Sequence, residues 1–303
     1  MSHHTLFARR PHVGSLTLPA LDSIWRNDPD GGYTASPMED PRIEIERGQR
    51  FRFGENWARF LEAFEPRRID AAIDSLKEML SVTGLTGKTF VDAGSGSGLF
   101  SLAARRLGAR VVSFDCDPRS VACTEELRRR YSTEDDAWRV ELGSALDPEY
   151  LRTLGQYDVV YSWGVLHHTG KMWEAMDRVG LLTKQDGLLF VAIYNDQGIM
   201  SKYWRSVKRL YNRNRLLQAA MVALHVGPLY LLRIVVRFAM GKGRLERGMS
   251  LWYDMLDWLG GYPFEVATPE AVVDFYHRRG FRLEKIRTCG GHCGCNEYVF
   301  RRA

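Results

Sequence analysis

A chain of 303 residues that is 45% hydrophobic and 26% charged has the composition of a globular protein with a sizeable core, not of a disordered or low-complexity one. Its formal net charge of +5 is unevenly spread: eleven basic residues and one acid, Glu246, fall between Ile199 and Ser250, so this segment carries +10 and the remainder −5. Five cysteines, an odd number, and an N-terminus without the apolar core of a signal peptide argue against a disulfide framework and predict a cytoplasmic protein.

Residues 1–42 hold five of the eleven prolines and Gly31-Gly32, and are read as an irregular arm anchored by Trp25 and Tyr33. From Asn56 to Leu80 the apolar positions recur at three- and four-residue steps, which predicts two helices split at Pro66. Strand and helix periods then alternate, the pattern of a parallel sheet with crossover helices. Strands are expected at Thr89 to Asp92, Arg110 to Asp115, Trp138 to Leu142, Tyr157 to Ser162 and Gly187 to Tyr194. Helices are expected at Leu99 to Leu107, Val121 to Tyr131 and Trp173 to Leu182. Thr268-Pro269-Glu270 opens a last helix, and strands near Phe281 to Thr288 and Glu297 to Arg301 close the chain.

The basic segment interrupts this order after the fifth strand. Tyr203, Val207, Leu210 and Tyr211 recur at helical steps and predict a packed apolar face. Leu216 to Leu232 is uncharged but contains Gln218, His225 and Gly227-Pro228. It falls short of the roughly 20 apolar residues of a membrane span and reads as a buried or interfacial helix pair broken near Pro228. The division is therefore an arm (1–42), a core with N-terminal helices (43–198), a helical insertion (199–250) and a C-terminal completion of the sheet (251–303).

The first strand ends in Asp92 and turns through Gly94, Ser95, Gly96 and Gly98 into a helix. Such a turn brings backbone N–H groups and a helix N-terminus to a ligand. A nicotinamide-type turn would need glycine at position 99, which is Leu99. The G-x-G-x-G spacing after an acid suits the zwitterionic end of S-adenosylmethionine (SAM), Asp92 meeting the amino group and the turn the carboxylate. Asp115, followed by Cys116, ends the second strand where an acid accepts hydrogen bonds from ribose hydroxyls. Asp117 is read as solvated. Gly143 and Ser144 fall where the adenine would lie, or form a plain turn.

Residues 91–98, 157–168 (Tyr-Asp-Val-Val-Tyr-Ser-Trp-Gly-Val-Leu-His-His) and 192–198 (Ala-Ile-Tyr-Asn-Asp-Gln-Gly) resemble a bacterial group of class I SAM-dependent methyltransferases. That group is named by analogy with the ubiquinone-biosynthesis (2-polyprenyl-benzoquinol type) methylases. The resemblance extends over Phe51 to Trp57, Arg247 to Ser250, Asp257 to Glu265 and Cys295 to Phe300. It implies an α/β Rossmann-like fold, a mostly parallel seven-stranded sheet with helices on both faces and a helical insertion after the fifth strand, and SAM as cofactor.

Methyl transfer requires alignment of the acceptor and, where it carries a proton, a base. His167 and His168, just past the fourth strand, are the candidates, a capping or packing role being the alternative. Ser162 and Trp163 are expected to wall the sulfonium, with Trp163 as plain core the competing reading. Tyr194, Asn195 and Asp196 follow the fifth strand and, with Tyr253, Asp254, Asp257, Trp258, Tyr262 and Glu265, are the candidates for holding an acceptor or shielding a cation. Cys289, His292, Cys293 and Cys295 lack paired zinc knuckles and read as a hairpin turn, with no metal expected.

The leading expectation is an enzyme methylating oxygen, nitrogen or sulfur of a small molecule, with the basic insertion as a lid over the acceptor. A nucleic-acid acceptor is disfavoured because Ser162-Trp163-Gly164-Val165 lacks the Asn/Asp-Pro-Pro-Tyr signature of base-amino methylases. An RNA methylase, peripheral membrane contact with a quinol acceptor and a non-catalytic SAM-fold binding module are the alternatives. The oligomeric state is left open.

Overall fold

Three helices begin on the same local device. Asp117, Asp147 and Thr268 each accept a backbone N–H at a helix start, and each precedes a proline at the first helical position. The computed structural model describes Glu44, Arg47, Arg50, residues 51–227 apart from 52, 63 and 133–136, and residues 258–303. The N-terminal arm with Trp25 and Tyr33, the break at Pro228, and Tyr253, Asp254 and Asp257 lie outside the described residues.

In chain order the elements are α1 (Phe53–Glu62), α2 (Arg67–Leu80), β1 (Thr89–Ala93), α3 (Leu99–Arg106), β2 (Arg110–Asp115), α4 (Pro118–Tyr131), β3 (Trp138–Leu142), α5 (Pro148–Leu154) and β4 (Tyr157–Trp163). A 3₁₀ turn (Leu166–His168) leads to α6 (Met172–Leu181), β5 (Thr183–Tyr194), α7 (Ile199–Tyr211) and α8 (Arg215–Met221), which runs into a π turn (Val222–Val226). After the undescribed stretch come α9 (Pro269–His277), β6 (Phe281–Arg287) and β7 (Cys295–Arg302).

The sheet has seven strands in the order β3-β2-β1-β4-β5-β7-β6. Neighbours from β3 to β5 pair in parallel, while β7 runs antiparallel to both β5 and β6. The mostly parallel sheet expected from the sequence is therefore present, and its order reverses between β1 and β4. That reversal opens a crevice at the carboxyl ends of the strands, the place where ligands bind in open α/β sheets.

Helices cover both faces. On one, Leu76 and Met79 of α2, Leu102 of α3 and Leu127 of α4 pack on Phe90, Tyr161 and Phe190 of the sheet. On the other, Leu151 of α5, Met176 and Val179 of α6 and Val272 and Tyr276 of α9 are buried, with the Tyr276 hydroxyl donating to the Met176 carbonyl at 3.1 Å. β5 starts four residues before the expected Gly187. Asp186 takes φ 59° there and the β4–β5 register shifts, so a bulge hides the early part of the strand from a period-of-two reading.

The insertion departs from expectation in which face it buries. α7 turns Val207 and Tyr211 inward, onto Phe51 and Leu259, and buries Lys208 as well, while Tyr203 stays 48% exposed and Leu210 also lies at the surface. No residue of α8 is buried, and Leu216 and Leu224 are 85% and 65% exposed, so this part of the apolar stretch is surface.

Leu76 is wholly enclosed between α2 and the sheet. Leu76→Ala is expected to cost about 2–5 kcal/mol through lost burial and the cavity left behind. A urea midpoint that stays unchanged at equal m-value would contradict this packing.

Candidate functional site

β1 delivers the chain to the crevice, and the turn after it is built to bring backbone close to a ligand. Gly94, Gly96 and Gly98 have φ of 84°, 55° and 79°, in the left-handed region that side chains resist. A Cβ on Gly94 would stand 2.4 Å from Val165, one on Gly96 2.9 Å from the Trp57 ring, and one on Gly98 2.8 Å from Thr124. The N–H groups of Gly94 and Ser95 both donate to the Phe114 carbonyl, at 2.8 and 3.0 Å, which pins the turn to β2. Ser95 Oγ lies 3.0 Å from Thr124 Oγ1, tying it to α4. Gly98 is the N-cap of α3, and the first turn of that helix has neither a capping side chain nor an acid. The Asp92 carboxylate takes the Ser101 N–H, and the positive end of the helix dipole at the earlier N–H groups suits a ligand carboxylate.

Two acids flank this turn. Asp92 is 2% exposed and accepts from Ser101 Oγ at 2.5 Å. Ser101 in turn lies 2.6 Å from Ser113 Oγ, which accepts from Trp138 Nε1 at 2.8 Å. Burial raises the Asp92 carboxyl to about 7 despite the Ser101 hydrogen bond. Asp115, at the end of β2, accepts the Gly96 N–H at 3.0 Å and the Asp117 N–H at 2.9 Å. Burial raises it to about 6, and burial, with a smaller contribution from the Asp115 charge, pushes the neighbouring Cys116 thiol up to about 12.

Asp117 is not solvated as the sequence suggested. It is 9% exposed, caps α4 through Arg119 N and accepts the Gly54 N–H at 3.0 Å, a partner 63 positions earlier that local sequence does not reveal. Gly143 packs against the Tyr150 ring, 2.1 Å from where a Cβ would sit, and Ser144 Oγ accepts the Leu146 N–H at 3.1 Å. Ser144 thus serves the turn into α5.

The histidine pair occupies the 3₁₀ turn after β4. His167 is 0% exposed, and its ring lies 4.0 Å from that of Tyr194 and 4.4 Å from that of His168. Burial holds its pKa well below the ordinary 6.5, against the opposing effect of the Ala192 backbone. His168 Nδ1 lies 2.7 Å from the Pro263 carbonyl. A carbonyl only accepts, so Nδ1 carries the proton and Nε2 the lone pair. Burial lowers His168 to about 3, so the ring is neutral at physiological pH.

Not every expected wall residue faces the crevice. Ser162 Oγ donates to the Ala93 carbonyl at 2.8 Å and locks the ends of β1 and β4 together. Trp163 packs against the main core and donates from Nε1 to Glu297 at 2.9 Å, which favours the core reading of its side chain. Glu265 also departs from the acceptor role: its carboxylate accepts the Met172 N–H at the start of α6, and its own N–H holds the His167 carbonyl. Tyr262 offers its carbonyl to Phe51 N, and Asn195 accepts from Asn296 Nδ2 at 3.0 Å. Tyr194, Asn195 and Trp258 do come together, lining one pocket with Trp204 and Ser201 of α7, Phe264, Gln197, Cys293 and Gly294.

With this geometry in view, the comparisons with known proteins are direct. Residues 91–189 match the family described as a methyltransferase domain. The chain carries a SAM-dependent methyltransferase domain. Over 215 residues it is 28% identical to a ribosomal protein L11 methyltransferase of Alteromonas mediterranea, covering 64% of this chain and 68% of that protein. It is 28% identical over 173 residues to a ubiquinone biosynthesis O-methyltransferase of Methylocella silvestris, covering 50% of this chain and 64% of that one. A SAM-dependent methyltransferase of Anabaena variabilis shares the fold, with a TM-score of 0.52 at 11% identity over 89% of this chain and 100% of the other. The glycine cradle, the open start of α3 and the acid at the end of β2 fit SAM, whose carboxylate and ribose need those donors and that acceptor.

Sequence reasoning missed the segment that roofs this methyltransferase site. Arg50 donates from Nη1 to the His168 carbonyl at 2.9 Å, and its positive charge acts on Asp115. The Phe53 ring lies 5.0 Å from His168, and the Trp57 ring covers Gly96. The available signal is the run of aromatic residues from Phe51 to Trp57, which the resemblance includes without assigning it a role.

Gly98→Ala places a methyl group against α4 in a left-handed conformation, and is expected to weaken SAM binding at least about tenfold as the turn shifts. Asp115 accepts charge-assisted bonds only when ionised, each worth about 1.5–3 kcal/mol. With its pKa raised to about 6, SAM affinity should fall as pH drops from 8 to 5. Asp115→Asn should weaken binding at pH 8 and flatten that dependence. Calorimetry giving the folded variant wild-type affinity at pH 8 would remove Asp115 from the site.

Proposed function

We propose that this methyltransferase transfers a methyl group to an oxygen, nitrogen or sulfur of a small-molecule acceptor. The observation that carries the reading is the aromatic cluster of Tyr194, Trp204, Trp258 and Phe264 around a small cleft, which adjoins the neutral histidine pair through Tyr194. Bound SAM supplies a methyl carbon activated by the sulfonium. The chain's own residues then have three tasks: hold the acceptor, exclude water and receive a proton where one is released.

His168 can serve the last task only as a weak base, since burial lowers it to about 3, and it acts chiefly by accepting a hydrogen bond from the nucleophile. Its Nδ1–H is committed to Pro263, so Nε2 is left as a hydrogen-bond acceptor of fixed direction. Arg50 fixes the backbone of the same residue and Phe53 packs on its ring, so the imidazole is held from two sides. α7 supplies one wall of the pocket through Ser201 and Trp204, which supports reading the insertion as a lid on the acceptor. A second reading, a quinol-type acceptor met at a membrane surface, is favoured by the exposed Leu216 and Leu224 within the basic insertion. No described helix is long and apolar enough to cross a membrane.

The test is S-adenosylhomocysteine formation against phenols, amines, sugars and thioethers, with ribosomal protein L11 and RNA alongside. Turnover is expected with one small-molecule class, and turnover confined to the protein or the RNA would overturn the reading. His168→Gln should lower kcat by about 10²–10⁴-fold while leaving SAM affinity intact, the range for a lost acid–base group. Because burial depresses both histidines, ring ¹⁵N shifts should remain those of neutral imidazole from pH 8 down to pH 5. A transition near 6.5 would show that the pair is solvated.

A further inference from the structure

Arg50 and Phe51 lead into the aromatic roof, and each is tied to a different part of the molecule. Arg50 donates from Nη1 to the His168 carbonyl at 2.9 Å and from Nη2 to the Thr169 carbonyl at 3.5 Å. Phe51 donates its N–H to the Tyr262 carbonyl at 2.9 Å. The residue after Tyr262, Pro263, offers the carbonyl that holds His168 Nδ1 at 2.7 Å. The contacts close a ring, from the His168 backbone through Arg50 and Phe51 to Tyr262 and Pro263, and back to the His168 imidazole. The Phe53 ring packs on that imidazole at 5.0 Å.

The histidine turn has little of its own to hold it. A three-residue 3₁₀ turn has few internal bonds and poorer geometry than an α-helix. Here the His168 N–H reaches the Val165 carbonyl at 2.9 Å, and the Thr169 N–H reaches the Leu166 carbonyl at 3.3 Å, sharing it with the Thr169 hydroxyl. The carbonyls at the end of such a turn lack internal partners, and Gly170 follows at φ 77°. The Glu265 N–H takes the first of them, that of His167, and Arg50 takes the next two. Arg50 is itself held in place: its N–H donates to the Glu44 carbonyl at 3.2 Å and its Nε to the Glu44 carboxylate at 2.7 Å. That ion pair gives the guanidinium its counter-charge. What Arg50 adds to the turn is therefore direction, two donors fixed in one rigid plane.

We propose that Arg50 is a positioning residue for the methyl transfer, fixing the histidine turn so that His168 Nε2 keeps one direction as a hydrogen-bond acceptor. This rests on the reading of His168 as the group that accepts a hydrogen bond from the nucleophile.

The experiment is ¹⁵N nuclear magnetic resonance of the histidine rings in the full-length protein, with His168 assigned by the signals lost in His168→Gln. Wild type should show a single Nδ1-protonated tautomer for His168. In Arg50→Met the His168 Nδ1–H should exchange with solvent at least about tenfold faster, and the ring nitrogens should average toward a mixture of tautomers. Arg50→Lys keeps the charge without the fork, and should exchange at least about threefold faster. Glu44→Gln removes the counter-charge and leaves the fork, and should keep the wild-type signature. The exposed His277 and His292 serve as internal controls, and Tm reports global stability. Should Arg50→Met fail to fold, Arg50→Lys decides. A merely structural role would lower Tm and leave the His168 ring as in wild type. That result, or loss of the signature in Glu44→Gln at unchanged Tm, would overturn the inference. On an acceptor found in the panel, Arg50→Lys should lower kcat about tenfold with the acceptor KM within about twofold. An unchanged kcat with a loosened ring would also count against it. Undiminished turnover in His168→Gln would instead sink the reading of His168 and leave the ring measurements standing.

Discussion

Everything in this molecule that faces a ligand depends on how β1 hands the chain to α3. Between Ala93 and Leu99 the backbone must leave a buried strand, reverse and start a helix, with its N–H groups open to the crevice. Three residues at positive φ make that path, and each stands so close to a neighbour that a methyl group would displace it. The neighbours come from three different directions: Val165 after β4, Trp57 on α1 and Thr124 on α4. The turn is therefore both the cofactor cradle and the point where the roof, the sheet and α4 are fitted to one another.

Around that turn the protein buries ionisable groups of both kinds, and their linkages to folding have opposite signs. Asp92 and Asp115 have folded values of about 7 and 6 against an ordinary 3.8, so they take up protons on folding and favour the fold toward acid. His167 and His168 are depressed below 6.5, so the unfolded chain binds protons that the native state refuses, and their contribution is lost as pH falls through 6.5. In the window between roughly pH 4 and 6.5 the two pairs oppose each other. The Asp92–Ser101–Ser113–Trp138 chain also shows how such a charge is tolerated, by passing its hydrogen bonds inward across β1, β2 and β3.

The sequence was most legible where period and punctuation are local. All seven strands, the glycine turn and the Thr268-Pro269 helix start are visible as patterns. α5 was overlooked although Asp147-Pro148 carries the same start signal, because only seven residues follow and they offer too few apolar repeats to register as a helix. What stayed illegible depends on partners far along the chain. The burial of Asp117 requires Gly54, the inward turn of Glu265 requires Met172, and the face chosen by α7 requires Phe51 and Leu259. The insertion's periodicity was right, but the stripe Val207, Lys208 and Tyr211 includes a lysine that no hydrophobic pattern would place inside.

The contact between Gly54 and Asp117 has a consequence for how this chain tolerates change. Asp117 caps α4 with one oxygen and holds the Gly54 N–H with the other, and a Cβ at position 54 would lie 2.5 Å from both Asp117 Oδ2 and Arg119 Cβ. A side chain at 54 must lift α1, and with it the aromatic cover on the glycine turn. A residue lacking the second oxygen at 117 leaves the Gly54 N–H without its partner. The two positions are thus one mutational unit: variation at either changes the cost of variation at the other.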